Sequence, residues 1–235
     1  MNLVLIDENY FIGDNLIEIK NRQYTHIKDV LKLKVGDNFI VGKKNGLIGE
    51  GEIITFDPDK IQAKIELKGK PPTKLPLTLI IALPRPKTLR KVIHSAITLG
   101  VKEIYFIESW KVTKSYWQSP MLEKEYIDNK IILALEQAKD TIPPEIYFKK
   151  RFKPFMEDEL AEIAKDKKMI IAHPLSENKC PYNLKEDAIL AIGPEGGFTE
   201  YEVNKFIEIG FEPVNIGERI LRVEYAVPNI IGKLF

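Results

Sequence analysis

The stretch Ala188-Ile-Leu-Ala-Ile-Gly-Pro-Glu-Gly-Gly-Phe-Thr-Glu-Tyr-Glu202 decides the fold class of this chain. Its opening apolar run has no polar interruption, which predicts a strand buried on both faces, as in a parallel sheet. The strand ends at Gly193. Thr199 and Glu202 stand at capping-box spacing, so a helix starts there after a glycine-rich turn. A strand end, a loop and a helix start form the place where open α/β sheets bind ligands. Gly196 and Gly197 allow positive φ and let a ligand approach the backbone. The turn lacks the Lys-Ser/Thr ending of a phosphate loop, and no Gly-x-Gly-x-x-Gly occurs in the chain. A tight turn serving only the fold is the plain alternative.

Working outward, Val214-Asn-Ile-Gly-Glu-Arg-Ile-Leu-Arg-Val-Glu-Tyr-Ala226 again pairs a strand end with a glycine, Gly217. It then presents Arg219, Arg222 and Glu224 among Ile220, Leu221 and Val223. These charges fit a structural ion pair, and equally a group facing an RNA phosphate or a reacting base. Ile170-Ile-Ala-His-Pro174 supplies a third strand end and His173. Three neighbouring strand ends with irregular exits predict one pocket. Further strands are expected at 77–83, 104–107, 169–172 and 212–216, and helices at 88–99, 123–138, 155–165, 199–209 and 223–234. Gly100 and Gly210 close two of the helices, and Pro228 disturbs the last. Strands alternating with helices predict a largely parallel sheet covered on both faces. Before this region, residues 1–70 read as mostly β, with turns at Val35-Gly36-Asp37, Lys44-Asn45-Gly46 and Asp57-Pro58-Asp59, a small-barrel pattern. One helical stretch, 25–33, interrupts it. Lys68-Gly-Lys-Pro-Pro-Thr-Lys-Leu-Pro76 reads as a linker, since prolines do not join a central strand. The boundary is therefore expected after residue 70.

Composition narrows the class. The chain is 44% hydrophobic and 29% charged, with no run long enough to span a membrane. Met1 to Tyr10 carries Asp7 and Glu8 and lacks the pattern of a signal peptide, so a cytoplasmic protein is expected. The lone Cys180 can form no internal disulfide and no thiolate cluster for zinc, and no metal is expected. Net charge is +1, but residues 71–118 hold 8 Lys/Arg against 2 Asp/Glu. Such a basic segment is a phosphate-facing surface or a solvated helix face.

Ile192-Gly-Pro-Glu-Gly-Gly-Phe198 followed by Ile216-Gly-Glu-Arg-Ile-Leu-Arg-Val-Glu-Tyr-Ala226 resembles the C-terminal signature of RsmE-type RNA methyltransferases of the SPOUT class. The resemblance continues through His26-Ile-Lys-Asp-Val-Leu-Lys-Leu-Lys-Val-Gly-Asp37, Leu99-Gly-Val-Lys-Glu-Ile104, Lys114-Ser-Tyr-Trp-Gln-Ser-Pro120 and Leu135-Glu-Gln-Ala138. It implies an α/β protein with a PUA-like RNA-binding β-barrel over 1–70 and a SPOUT domain with a deep trefoil knot over 71–235. It further implies a homodimer using S-adenosyl-L-methionine to methylate N3 of a uridine in small-subunit (16S) ribosomal RNA, free or in the small ribosomal subunit. By position the cofactor loops are Ala172, His173 and Pro174; Ile192, Gly193, Pro194, Glu195, Gly196 and Gly197; and Ile216, Gly217, Ile220, Leu221 and Arg222.

Replacing a weakly acidic imide proton with carbon calls for positioning, a base or a positive field. Arg222 is the candidate for stabilising the uracil anion, and Glu224 or Glu195 for taking the proton or orienting Arg222. His26, Lys28, Lys32 and Lys34, with Arg85, Lys87, Arg90 and Lys91, are the candidate RNA contacts. The chain departs from the common family pattern at Asp29, Thr98, Asp140 and Tyr225. Two rivals remain: a SPOUT enzyme with another RNA target, and a non-catalytic RNA-binding or ribosome-assembly factor.

Overall fold

In the computed structural model of residues 1–235, the N-terminal region holds six strands, and the three expected turns fall before the fourth and between the fourth, fifth and sixth. The strands are β1 (Val4–Ile6), β2 (Phe11–Gly13), β3 (Leu16–Lys20), β4 (Asn38–Lys43), β5 (Ile48–Phe56) and β6 (Lys60–Gly69), with helix α1 (Asn21–Thr25) after β3. They form one sheet in the order β1-β4-β5-β6-β3-β2, antiparallel except for β1 with β4. Along β6, Ile61, Ala63 and Ile65 are buried while Lys64 and Glu66 are exposed, the period of two that turns one face inward. Ile17 and Ile19 of β3, Phe39 and Val41 of β4, and Ile53 of β5 complete the same core.

The helical stretch starts earlier than expected. α1 runs on into a π-helical segment, His26–Leu31. Widening the turn rotates side chains off the 3.6-residue face: Ile27 is fully buried, but Val30 is 63% exposed.

By packing, the chain forms two compact units, Met1–Thr73 with Ile131–Pro143, and Lys74–Lys130 with Pro144–Phe235. Within the first unit, Glu136 is buried and accepts hydrogen bonds from Gln23 Nε2 (2.7 Å) and Arg22 (2.9 Å). A buried carboxylate is tolerable only with such partners. Thr141 Oγ1 donates to the Gly46 carbonyl at 2.6 Å, and Asn2 N–H donates to the Glu136 carbonyl at 3.0 Å. Asp140, one of the departures from the family pattern, is buried and accepts from the Ile142 N–H.

The remaining elements are β7 (Leu75–Ala82), α2 (Pro86–Thr98), β8 (Val101–Ile107), α3 (Lys124–Ala138), β9 (Glu145–Lys149), α4 (Phe152–Pro154), α5 (Leu160–Ile163), β10 (Lys168–Ala172), β11 (Ala188–Ile192), α6 (Glu200–Ile209), β12 (Glu212–Val214) and α7 (Val223–Leu234). The six strands form a second sheet in the order β12-β10-β11-β7-β8-β9, and every pair is parallel. All of β11 and Leu77 to Ala82 of β7 are buried, as expected for central parallel strands covered on both faces. α2 buries Leu89, Val92, Ile93, Ala96 and Ile97, one helical stripe, and packs against α7.

Several expectations shift. Pro76 lies inside β7, not in a linker; the register with β8 slips between Leu75 and Thr78, and this irregularity accommodates a residue without an N–H. The helix expected at 155–165 is broken, with a π-helical segment, Phe155–Glu159, between α4 and α5. β9 is an edge strand the periodicity did not announce. α7 continues through Pro228 and buries Val223, Ala226, Val227, Ile230, Ile231 and Leu234 within the chain itself.

Candidate active site

Three adjacent strands of the second sheet, β12, β10 and β11, end at the same edge, and their exits build one cavity of about 430 Å³. This is a volume suited to a small cofactor. The exit of β10 contributes Ala172, His173 and Pro174. The exit of β11 contributes Ile192, Gly193, Pro194, Glu195, Gly196 and Gly197. The exit of β12 contributes Ile216, Gly217, Ile220 and Leu221. Arg222 does not line this cavity. It is exposed at the N-cap of α7 and makes no ion pair there.

Local chemistry explains the loops. The capping box is present: Thr199 Oγ1 accepts from the Glu202 N–H, and Glu202 Oε2 accepts from the Thr199 N–H at 2.7 Å. α6 therefore starts at a fixed point, and the glycine turn ahead of it is held from both ends. Gly197 has φ +70° and Gly217 φ +146°, conformations that disfavour side chains. No atom lies within 4 Å of where a Cβ would stand on either, and both line the cavity. The walls thus offer backbone groups and aliphatic carbon, with few charges.

Charged groups sit at the rim. Glu195 Oε1 accepts from the Arg85 backbone N–H at 3.1 Å, and the Arg85 Nε lies 3.7 Å away. Glu224, with its side chain 10% exposed, pairs with Lys91 at 3.5 Å. The start of α2 is thereby tied to the Gly-Pro-Glu-Gly-Gly loop and to α7. Arg85 and Lys91 are engaged in these contacts, whereas Lys87 and Arg90 are exposed cations without an ion pair. The other proposed RNA contacts belong to the first unit. Lys28 stands over the Tyr24 ring at 5.5 Å, Lys32 takes a left-handed φ of 55° at the end of the π segment, and Lys34 is exposed. His26 is half-buried, its Nε2 has no partner, and burial lowers its pKa.

Several residues escaped the sequence reading. Lys111 lines the cavity, and its Nζ donates to the Gly196 carbonyl at 2.8 Å. Phe198 lines it too and packs on Phe206. Arg219, read above as an ion-pair partner or a group facing RNA, lies in the cavity wall. Lys111 follows the end of β8, so the rule that ligands gather beyond carboxyl ends of parallel strands pointed to it. Glu202 does more than cap: its Oε1 accepts from the Trp110 N–H at 2.7 Å, fastening the β8 exit to α6.

Comparison with known proteins places this geometry in context. Residues 71–234 match the model of an RNA methyltransferase domain, and residues 19–66 match that of an RNA methyltransferase PUA domain. Ribosomal RNA small subunit methyltransferase E of Treponema pallidum is 30% identical over 232 residues, covering 96% of this chain and 87% of that protein. Methyltransferase E 1 of Borreliella burgdorferi is 28% identical over 233 residues, covering 96% and 94%. The crystal structure of ribosomal RNA small subunit methyltransferase E from Neisseria gonorrhoeae, bound to S-adenosyl methionine, superposes with a TM-score of 0.73 at 21% identity, over 98% of this chain and 95% of that one. That likeness establishes a shared fold.

Proposed function

The chain belongs to the RNA methyltransferase family that matches it over residues 71–234, and from that premise we propose that it methylates N3 of a uridine in small-subunit (16S) ribosomal RNA with S-adenosylmethionine as donor. The single observation that carries the reading is the 430 Å³ cavity at the exits of β10, β11 and β12, on a chain that resembles small-subunit methyltransferases over nearly its whole length. The cavity suits the cofactor: Gly197 and Gly217 leave open space where side chains would project, and the aliphatic walls match an adenosine ring system. Ala172–Pro174, Ile192–Gly197 and Ile216–Leu221 would hold it. When bound, the cofactor supplies the activated methyl group.

This chain's own residues then have the uracil to manage. Its N3 must lose a proton, and the resulting anion spreads onto two ring oxygens. Arg222 is exposed beside the cavity with no carboxylate partner, so its guanidinium is free to donate to that oxygen edge. Glu195 lies in the cavity wall and is the nearer candidate for accepting the proton. Glu224, outside the wall and paired with Lys91, is better placed to hold α2 and α7 together. The target uridine must be unpaired or flipped out to enter. Lys87 and Arg90, with Lys28, Lys32 and Lys34 of the PUA-like unit, would bind phosphates.

The same reading includes a trefoil knot through the cofactor loops. It is supported by the fold shared with the Neisseria enzyme. It includes a cytoplasmic homodimer as well. No helix is long and apolar enough to cross a membrane. The apolar stripe of α7 is consumed within the chain, so exposed Leu175, Ile220 and Tyr225 would supply the contact. Light scattering across concentrations tests the dimer.

Transfer from radiolabelled S-adenosylmethionine to small ribosomal subunits lacking native methylation, followed by nucleoside analysis, tests the reaction. Label in N3-methyluridine is expected. Label in another nucleoside overturns the acceptor, and no label from a protein that binds the cofactor overturns the substrate.

A further inference from the structure

Beside the cavity lies a second hollow of about 260 Å³, formed where the exit of β8 meets the start of α6. Ser109 lines it, is 1% exposed, and its hydroxyl has no hydrogen-bond partner. Buried hydroxyls are almost always paired, so an unpaired one on a residue that lines a hollow points to a polar group that arrives from outside. The adjoining Trp110 is the opposite case: it is 86% exposed. An indole in water gains nothing for folding, yet its backbone is clamped to the buried Glu202 carboxylate at 2.7 Å. The ring is thus carried on a fixed stem, as a stacking platform must be.

The lining chemistry narrows the occupant. Tyr201 and Phe152 add aromatic surface, and Lys114 adds a cation, but the acidic residues Glu108 and Glu202 also line the hollow. Two carboxylates repel a phosphate inside the hollow and leave a neutral, planar, hydrogen-bonding ring as the fitting guest. The two hollows share one wall. Lys111 and Phe198 line the first, while their chain neighbours Trp110, Val112 and Thr199 line the second. On the side of the first cavity, Lys111 Nζ donates to the Gly196 carbonyl at 2.8 Å.

We propose that this second hollow seats an unpaired nucleobase neighbouring the methylated one, stacked on Trp110 with its edge bonded to the Ser109 hydroxyl, while Lys114 meets the strand's phosphate. The inference rests on the RNA methyltransferase reading and gives it a second point of purchase. Stacking on an aromatic ring holds single strands and is lost in a duplex, whose bases are already stacked on one another.

The test uses the full chain carrying Trp117→Phe, so that Trp110 is the sole tryptophan and is excited selectively at the red edge of the absorption band. A single-stranded RNA decamer should quench it, and the same decamer in a duplex should not. Trp110→Ala, in the chain with Trp117 intact, should raise KM for small-subunit RNA about 5- to 150-fold, the worth of one base on an aromatic ring. Cofactor affinity by calorimetry and kcat should stay at parental values. Trp110→Phe should recover most of the loss. The exposed position makes folding failure no explanation, and Ser109→Ala, which removes one oxygen, should raise KM in the same direction. Unchanged fluorescence with the single strand, or a parental KM in Trp110→Ala, overturns the proposal. Quenching by a protein that methylates no ribosomal RNA supports the base seat and overturns the assigned reaction instead.

Discussion

Replacing Glu202 with alanine should destabilise the methyltransferase unit and loosen two loops at once. The carboxylate is 2% exposed and accepts from the Thr199 N–H, the Thr199 hydroxyl and the Trp110 N–H, at 2.7, 2.8 and 2.7 Å. Losing the capping interaction costs about 1 kcal/mol. The Trp110 N–H loses a hydrogen bond to a charged acceptor, worth roughly 1.5–3 kcal/mol. Water reaching the opened site offsets part of this, so a net loss of about 3 kcal/mol is expected, a large share of a stability of roughly 5–15 kcal/mol. For a unit of this size that lowers Tm by about 6–12 °C. Both tryptophans, Trp110 and Trp117, lie in this unit, so urea unfolding followed by their fluorescence reads its stability directly. Glu202→Gln keeps the shape and an acceptor oxygen but loses the charge, and should cost about half as much. A Glu202→Ala midpoint within about 0.5 kcal/mol of the parent, the range of ordinary surface substitutions, would refute the account of this residue as the joint between the β8 exit and α6.

Arg222→Ala should lower kcat by about 10²–10³-fold, the usual worth of a group stabilising a developing anion, while cofactor affinity holds because the side chain lies outside the cavity wall. Arg222→Lys should restore little, since an ammonium cannot present two parallel donors; full activity in Arg222→Ala would sink the assignment. Lys87→Ala and Arg90→Ala should each reduce the slope of log K against log salt for RNA by about 1, and an unchanged slope would remove that helix from the RNA path. Burial, helped by nearby Glu103, pushes the Tyr105 hydroxyl up to about 12. A raised folded-state pKa means its contribution is complete below the ordinary value of about 10 and is lost as pH rises through 12. Ultraviolet titration should show this late ionisation, and Tyr105→Phe should remove one tyrosine's share of it, since Tyr10 and Tyr147 are raised as well.

The candidate site was the most legible part of the sequence, because its determinants are local. An unbroken apolar run, a glycine turn and a Thr-x-x-Glu cap lie within fifteen residues, and the structure brings that loop together with the exits holding His173 and Gly217. What escaped depends on partners far along the chain. Ile146 to Lys149 of Glu145-Ile-Tyr-Phe-Lys149 are half-buried and Glu145 is exposed, an edge strand whose residues only pairing with β8 defines. Both π-helical segments, His26–Leu31 and Phe155–Glu159, break the 3.6-residue rhythm from which helices are read. Pro76 misled because a register slip, invisible in one dimension, lets β7 include it. Lys111 and Trp110 carry no motif; they matter because β8 ends beside their partners in the Gly-Pro-Glu-Gly-Gly loop and α6.

The first compact unit takes in residues 131–143, and this has a consequence for how the protein can be made and divided. A ribosome that has released Met1–Thr73 has delivered the strands but not Glu136 or Thr141, so Gln23, Arg22 and the Gly46 carbonyl wait for partners still to be synthesised. Domains ordinarily complete themselves in order of emergence. Here the first-born unit finishes only after the leading strands and helix of the second are already outside. A fragment cut at the proline-rich segment would keep an opened seam, and the PUA-like unit should be prepared with its returning segment attached.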